Sequence, residues 1–121
     1  MPTNITVQMV KIPVSDIDKA VPFYRDTLGL TEEFIVPEYG WAQFKAADVP
    51  LALYVPGMGG GNGKAGEADC LHLAITDADA FRVQLVAGGI EPDGCYHQGN
   101  DGSAYFEVQD PDGNTFKVMV C

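Results

Sequence analysis

The chain repeats its own order of elements. Met9, Ile12 and Asp16 recur as His72, Ile75 and Asp79 at a constant offset of 63 residues, and both halves read as β-α-β-β-β. In the first half Val7 to Val14 alternates, with Val10, Ile12 and Val14 on one face and Met9, Lys11 and Pro13 on the other, the period of a half-buried strand. Ser15 and Asp16 offer N-cap oxygens to a helix from about Ile17 to Leu28, ended by Gly29. Pro22 falls inside that helix, where its missing donor and ring clash cost about 3 kcal/mol, so a late start or a bend is expected. Strands follow over Thr31 to Val36, Trp41 to Ala46 and Leu51 to Val55, separated by Pro37-Glu38-Tyr39-Gly40 and Asp48-Val49-Pro50. The second half places a strand at Asp69 to Thr76 and a helix at Asp79 to Ala87 closed by Gly88-Gly89. Short strands then end in a hairpin from Tyr105 to Val120 about the turn Asp110-Pro111-Asp112-Gly113. A half of about sixty residues has only a marginal core alone, so the two halves are expected to pair. The reading is an α+β fold of two βαβββ modules in one domain spanning residues 1–121: module 1 about 5–56, a glycine-rich linker 57–67, and module 2 about 68–121.

The segment Gly57-Met58-Gly59-Gly60-Gly61-Asn62-Gly63-Lys64 invites a phosphate-loop reading, which its spacing excludes. Met58 stands where the first glycine is required, and Ala65 where a magnesium-binding hydroxyl is required. It reads as a plain flexible connection.

Seven basic against seventeen acidic side chains give a net charge of 7 − 17 = −10 over 121 residues. Such a surface repels a phosphate backbone and attracts a cation, so no nucleic-acid partner is expected. With 46% hydrophobic and 20% charged residues the composition is globular. No apolar run approaches the roughly eighteen residues a membrane helix needs, and no membrane partner is expected. Met1 to Gln8 lacks a basic region followed by an apolar stretch, which points to a cytoplasmic location. Three cysteines, Cys70, Cys95 and Cys121, are odd in number and lack close pair spacing. They read as free thiols rather than as a disulfide framework or zinc knuckle.

Four stretches taken in order resemble the vicinal oxygen chelate superfamily, which includes glyoxalase I, bleomycin resistance proteins and extradiol dioxygenases. They are Val10-Lys11-Ile12-Pro13-Val14-Ser15-Asp16, Phe23-Tyr24-Arg25-Asp26-Thr27-Leu28-Gly29-Leu30, His72-Leu73-Ala74-Ile75 and Asp110-Pro111-Asp112-Gly113-Asn114. The resemblance spans the whole chain and is specific for the fold, not for an activity. It implies curled mixed sheets around a cleft, helices on the convex side, and a homodimer. Against that architecture the alternation puts Val10, Ile12, Leu71, Leu73, Ile75, Phe106, Val108, Phe116, Val118 and Val120 under the helices. The opposite faces carry Met9, Lys11, Trp41, Gln43, Ala52, Tyr54, Cys70, His72, Tyr105, Glu107, Thr115, Lys117 and Met119, the candidate cavity residues.

Metal-dependent relatives use four ligands, typically His or Gln paired with Glu, on the first and last strand of each module. The resemblance carries those positions onto Met9, Ala52, His72 and Lys117. Met9 is a soft thioether, Ala52 donates nothing, and the Lys117 ammonium stands where a carboxylate should neutralise charge. One imidazole does not hold zinc, nickel or iron in a useful site, so no metal and no other cofactor is expected. Gln8 faces away from the cavity by one residue. Glu107 has the right face, and hairpin pairing sets it opposite Lys117, with Gln109 opposite Thr115, as a cross-strand ion pair.

Each candidate also has a plainer reading. His72 serves either as a hydrogen-bonded structural side chain or as a ligand contact. Lys117 is electrostatic rather than nucleophilic, and Trp41, Tyr54 and Tyr105 form an aromatic wall or pack in a core. Cys70 and Cys121 read as small hydrophobes, and His97 as a residue of the Gly94 to Gly102 loop. Three functions follow. The first is a metal-free small-molecule-binding protein, similar to the antibiotic-sequestering members. The charge of −10 suits a basic ligand, while Lys11 and Lys117 suit an anionic or carbonyl-bearing one. The second is a metal-independent glyoxalase-like lyase or isomerase, with His72 or Glu107 moving a proton and Lys117 stabilising negative charge. The third is an accessory or regulatory module without chemistry.

Overall fold

A computed structural model describes residues 5, 7–69, 71–90, 97–98 and 104–120. Cys70, Cys95, Cys121 and most of the Gly94 to Gly102 stretch lie outside the described residues, as do the side chains of Phe106 and Val120. The first module contains β1 (Val10–Pro13), α1 (Ile17–Pro22), β2 (Thr31–Val36), β3 (Trp41–Ala46) and β4 (Val49–Tyr54). The second contains β5 (Leu71–Ile75), α2 (Ala78–Ala87), β6 (His97–Gln98), β7 (Ala104–Gln109) and β8 (Thr115–Val120). Each module forms a four-stranded mixed sheet of the same topology, β1-β4-β3-β2 and β5-β8-β7-β6, with the first strand parallel to the last. His97 therefore sits in a short strand opposite Tyr105 rather than in a loop.

Asp16 caps α1, its Oδ1 accepting the Asp18 N–H at 2.9 Å. The helix does not start late. It begins at Ile17 and widens after Pro22 into a π-turn over Phe23–Thr27, closed by the Leu28 N–H on the Phe23 carbonyl at 2.9 Å. Pro22 has no N–H to return to the preceding turn, and the wider turn absorbs that gap within a continuous helical path. In the second module the repeat slips by two residues. The cap of α2 is Asp77, whose Oδ1 accepts the Ala80 N–H at 3.0 Å, and not Asp79.

The helix-facing rows of both sheets meet in one core. Ile12, Phe44, Leu51 and Leu53 from the first sheet join Val108, Phe116 and Val118 from the second, around Phe23 and Tyr24. The Tyr24 ring sits between the sheets, 6.3 Å from Phe44 and 5.8 Å from Phe116 by centroid. Its hydroxyl donates to Asp110 Oδ2 at 2.6 Å. The buried Asp110 carboxylate also accepts the backbone N–H groups of Asp112 and Asn114 and the Asn114 side-chain amide. Asn114, fully buried, then donates to the Pro13 carbonyl at 2.8 Å and accepts from the Gly66 and Ala68 N–H groups. The turn predicted as a hairpin connector thus also clasps the two modules together.

Arg25 forks onto Asp26 and reaches Glu32. Its hydrogen bonds hold the Asp26 carboxyl below the usual carboxylate range. No helix among the described residues is long and apolar enough to cross a membrane.

Candidate functional site

Strand register decides which side chains share a face. In the first sheet Lys11, Ala52 and Gln43 lie abreast, and the next row aligns Pro13, Tyr54, Trp41 and Val36; Phe34 pairs with Gln43 past a bulge after Glu32. All point away from the helix-facing row of Ile12, Leu53 and Ala42, because alternate residues of a strand face opposite sides. Met9, half-buried, lies one residue before β1. Polar contacts order this face. The Trp41 indole N–H donates to Gln43 Oε1 at 3.3 Å, and Gln43 Nε2 donates to Glu33 Oε1 at 3.2 Å. The Lys45 ammonium lies 3.8 Å from the other Glu33 oxygen.

The glycine-rich segment does not behave as a plain linker. It folds back over this face, with the Gly57 N–H on the Gly61 carbonyl at 3.0 Å and the Gly63 N–H on the Tyr54 hydroxyl at 3.1 Å. A methyl group on Gly60 would lie 2.9 Å from Tyr54 Cβ and 3.1 Å from the Trp41 ring, and one on Gly63 would run into the Tyr54 hydroxyl. Glycine is required there by close approach, not only by freedom of the backbone. Tyr54 beneath the segment is buried, and so is Ala52 in the neighbouring row.

Between this segment and the Pro37–Tyr39 turn lies a hollow of about 340 Å³, lined by Phe34, Val36, Tyr39, Trp41, Met58 and the backbone of Gly59 and Gly60. Phe34, Tyr39 and Met58 are 47%, 69% and 47% exposed. These large apolar side chains are gathered around one hollow rather than scattered over the surface. Sequence reasoning named Trp41 and missed the rest. The alternation of β2 carried a signal for Phe34 and Val36, whereas Met58 and Tyr39 arrive through loop paths that glycine and proline content do not encode. A larger hollow of about 430 Å³ runs along β5 between the modules, lined by Leu28, Leu51, Leu71, Leu73, Phe81 and other aliphatic residues. Among the described residues, His72 alone offers it a side-chain polar group to orient a ligand.

The second sheet presents a separate row: His72, Lys117 and Glu107 lie abreast on β5, β8 and β7, with Ala74, Met119 and Tyr105 in the row beside it. Thr115 pairs with Gln109. His72 and Glu107 are exposed, while Lys117, Met119, Tyr105 and Thr115 are half-buried. The predicted pairing of Glu107 with Lys117 holds in register but not as an ion pair. The ammonium lies over the Tyr105 ring, 4.8 Å from its centroid, and the ion pairs among the described residues join Arg25, Lys45 and Lys64 to other carboxylates. A half-buried ammonium gains more from an aromatic face than from a carboxylate that remains in water. The expected aromatic wall is divided: Trp41 faces the hollow, Tyr54 supports the glycine segment, and Tyr105 lies under Lys117 in the other sheet.

Met9, Ala52, His72 and Lys117, the positions of the expected chelating quartet, do not fit a transition ion. They offer one imidazole, one thioether, one methyl group and one ammonium. Among the described residues no three His, Cys, Asp or Glu side chains converge in a way that would share an ion.

A family model described as the Glyoxalase/Bleomycin resistance protein/Dioxygenase superfamily matches residues 6–118. No curated protein matches the chain. Among solved structures, TnmS3, an antibiotic binding protein from Streptomyces sp. CB03234, is 29% identical with a TM-score of 0.76, over 99% of this chain and 98% of that one. A superfamily member from Sphaerobacter thermophilus DSM 20745 is 26% identical with a TM-score of 0.80, over 98% of both chains. Lactoylglutathione lyase from Agrobacterium tumefaciens reaches the same TM-score, 0.80, at 23% identity over 98% of this chain and 96% of that one, a likeness of fold.

Proposed function

The chain belongs to the glyoxalase/bleomycin resistance protein/dioxygenase superfamily, and from that premise we propose that it is a small-molecule-binding protein working without a metal, which sequesters a flat aromatic ligand of the antibiotic type. The observation that carries the reading is the hollow walled by Phe34, Tyr39, Trp41 and Met58 beside the glycine segment. Aromatic faces and a polarisable thioether grip a planar ring system by stacking and dispersion, and its volume lies at the small end of ligand pockets. The poor fit of Met9, Ala52 and Lys117 to a metal supports binding over Lewis-acid chemistry, and the likeness to an antibiotic binding protein at 29% identity agrees with it. In this reading residues of about 5–56 and 68–121 act as one domain, in a cytoplasmic homodimer whose partner covers the open face.

The alignment of His72, Lys117 and Glu107 in one row of the second sheet favours a second reading, a metal-independent lyase or isomerase. Two proton-transfer groups flank a cation there that would stabilise developing negative charge.

Thermal-shift measurements against cationic antibiotics, aromatic carboxylates and glutathione adducts separate the two. A ligand at about 100 times its Kd adds about 2.7 kcal/mol to the folded state. Planar aromatic compounds are expected to raise the melting temperature of the wild type and to lose that effect in Trp41→Ala. Metal analysis of untagged protein is expected to find well below one equivalent of divalent ion per chain. A near-stoichiometric ion removed only by chelator overturns the metal-free reading. Shifts confined to dicarbonyl adducts of glutathione, accompanied by product and lost in Lys117→Met, would replace binding by catalysis.

A further inference from the structure

One contact on the first sheet is used neither by the core nor by the aromatic hollow. The Lys11 ammonium donates to the Gly60 carbonyl at 2.6 Å and lies over the Tyr54 ring, 5.3 Å from its centroid. Gly60 is the pivot of three features at once. It lies so near Tyr54 and Trp41 that no side chain fits there, its backbone lines the aromatic hollow, and its carbonyl occupies the ammonium of Lys11. Beneath the same segment lies Tyr54, buried although its side chain is on the open side of the sheet. The glycine segment thus covers the floor of the first-module face. Lys11, itself exposed, holds it down from the edge strand β1.

We propose that Gly57 to Gly63 is a lid latched by Lys11, and that the ligand opens it by offering its own carbonyl or carboxylate oxygen to the ammonium in place of the Gly60 carbonyl. The inference rests on the binding reading above and adds a requirement to it: the aromatic ligand carries an acceptor oxygen. A charge-assisted hydrogen bond exchanged for another of the same kind changes little in net energy, so the exchange is easily reversed. A carboxylate is a stronger acceptor than a peptide carbonyl and tips it toward the open form. Such a ligand also accounts for the cationic Lys11 on the open face of a chain of net charge −10. The overall field does not select the ligand; one local donor does. Lys11 is a positioning residue for the lid in the free protein and a contact residue in the complex.

The chain has a single tryptophan, Trp41, and Gly60 packs against its ring, so its fluorescence reports the lid directly. In the free protein, acrylamide quenching of Trp41 is expected to rise at least about twofold in Lys11→Met and to return toward the wild-type value in Lys11→Arg, which keeps a donor. Unchanged quenching in a Lys11→Met protein of wild-type circular dichroism and melting temperature overturns the latch. Should that variant fail to fold, Tyr54→Phe, which removes the acceptor of the Gly63 N–H, must raise quenching in the same way or the lid is refuted. The ligand requirement is read with naphthalene-2-carboxylate and 2-ethylnaphthalene as probes. The wild type is expected to bind the carboxylate at least about tenfold more tightly, and Lys11→Met to bind both alike. Equal affinities in the wild type overturn the acceptor-oxygen claim while leaving the aromatic reading intact. Failure of both probes, together with the whole panel of planar compounds, overturns the aromatic reading and with it the role assigned to Lys11 in the complex, while the quenching series still decides the latch.

Discussion

Asn114 shows how one side chain can join two halves of a chain. Its amide donates to Pro13 and Asp110 and its carbonyl takes the Gly66 and Ala68 N–H groups, and the residue is fully buried. Tyr24 adds a hydroxyl donor to the same carboxylate. A buried hydrogen bond to a charged group contributes about 1.5–3 kcal/mol, and Tyr24→Phe is expected to lose an amount in that range in urea denaturation. Asn114→Ala is expected to lose more, since it leaves two N–H groups and a carbonyl in need of partners. A Tyr24→Phe protein as stable as the wild type would show that the bond from Tyr24 to Asp110 contributes nothing. The residue scale is also where the sequence was least readable. Asp110, Asp112 and Asn114 were visible as a turn, but their partners Tyr24, Ser15 and Pro13 lie about 90 to 100 residues away along the chain, a separation no local pattern encodes.

At the scale of elements, the strands follow from alternation because burial of one face leaves a period of two. Thr31–Val36 and Trp41–Ala46 have the predicted bounds. Helix α1 was legible in its cap and its apolar spacing, and illegible at Pro22, where the backbone had several ways to absorb a missing donor. The glycine segment was misread because glycine content signals both freedom and close approach, and only the position of the neighbouring rings tells them apart. That distinction is testable. Gly63→Ala places a methyl group against the Tyr54 hydroxyl and is expected to destabilise the protein by about 1–3 kcal/mol, the usual range for overpacking, measured by thermal or urea unfolding. A flexible linker would accept the substitution without loss.

At the scale of the whole molecule, the two modules share contacts that are expected to make them unfold as one unit. Tyr24 sits between Phe44 of one sheet and Phe116 of the other, and the Ser15 N–H on Asp112 and the Asn114 amide on Pro13 tie the modules at their ends. Urea unfolding followed by Trp41 fluorescence, which reports the first module, is expected to superimpose on unfolding followed by circular dichroism, which reports both. Separate midpoints would mean that the shared core does not couple the modules.

The order of elements and the faces of the strands could be read from the chain itself, since periodicity is a local property. Which aromatic rings gather around a hollow, and what the glycine segment rests on, depended on contacts between residues far apart in sequence. Lys11 illustrates both sides of that division. Its face followed from alternation, but its partner, the carbonyl of Gly60, is a backbone atom that every residue possesses. Only the folded path of the chain selects one such atom over all the others.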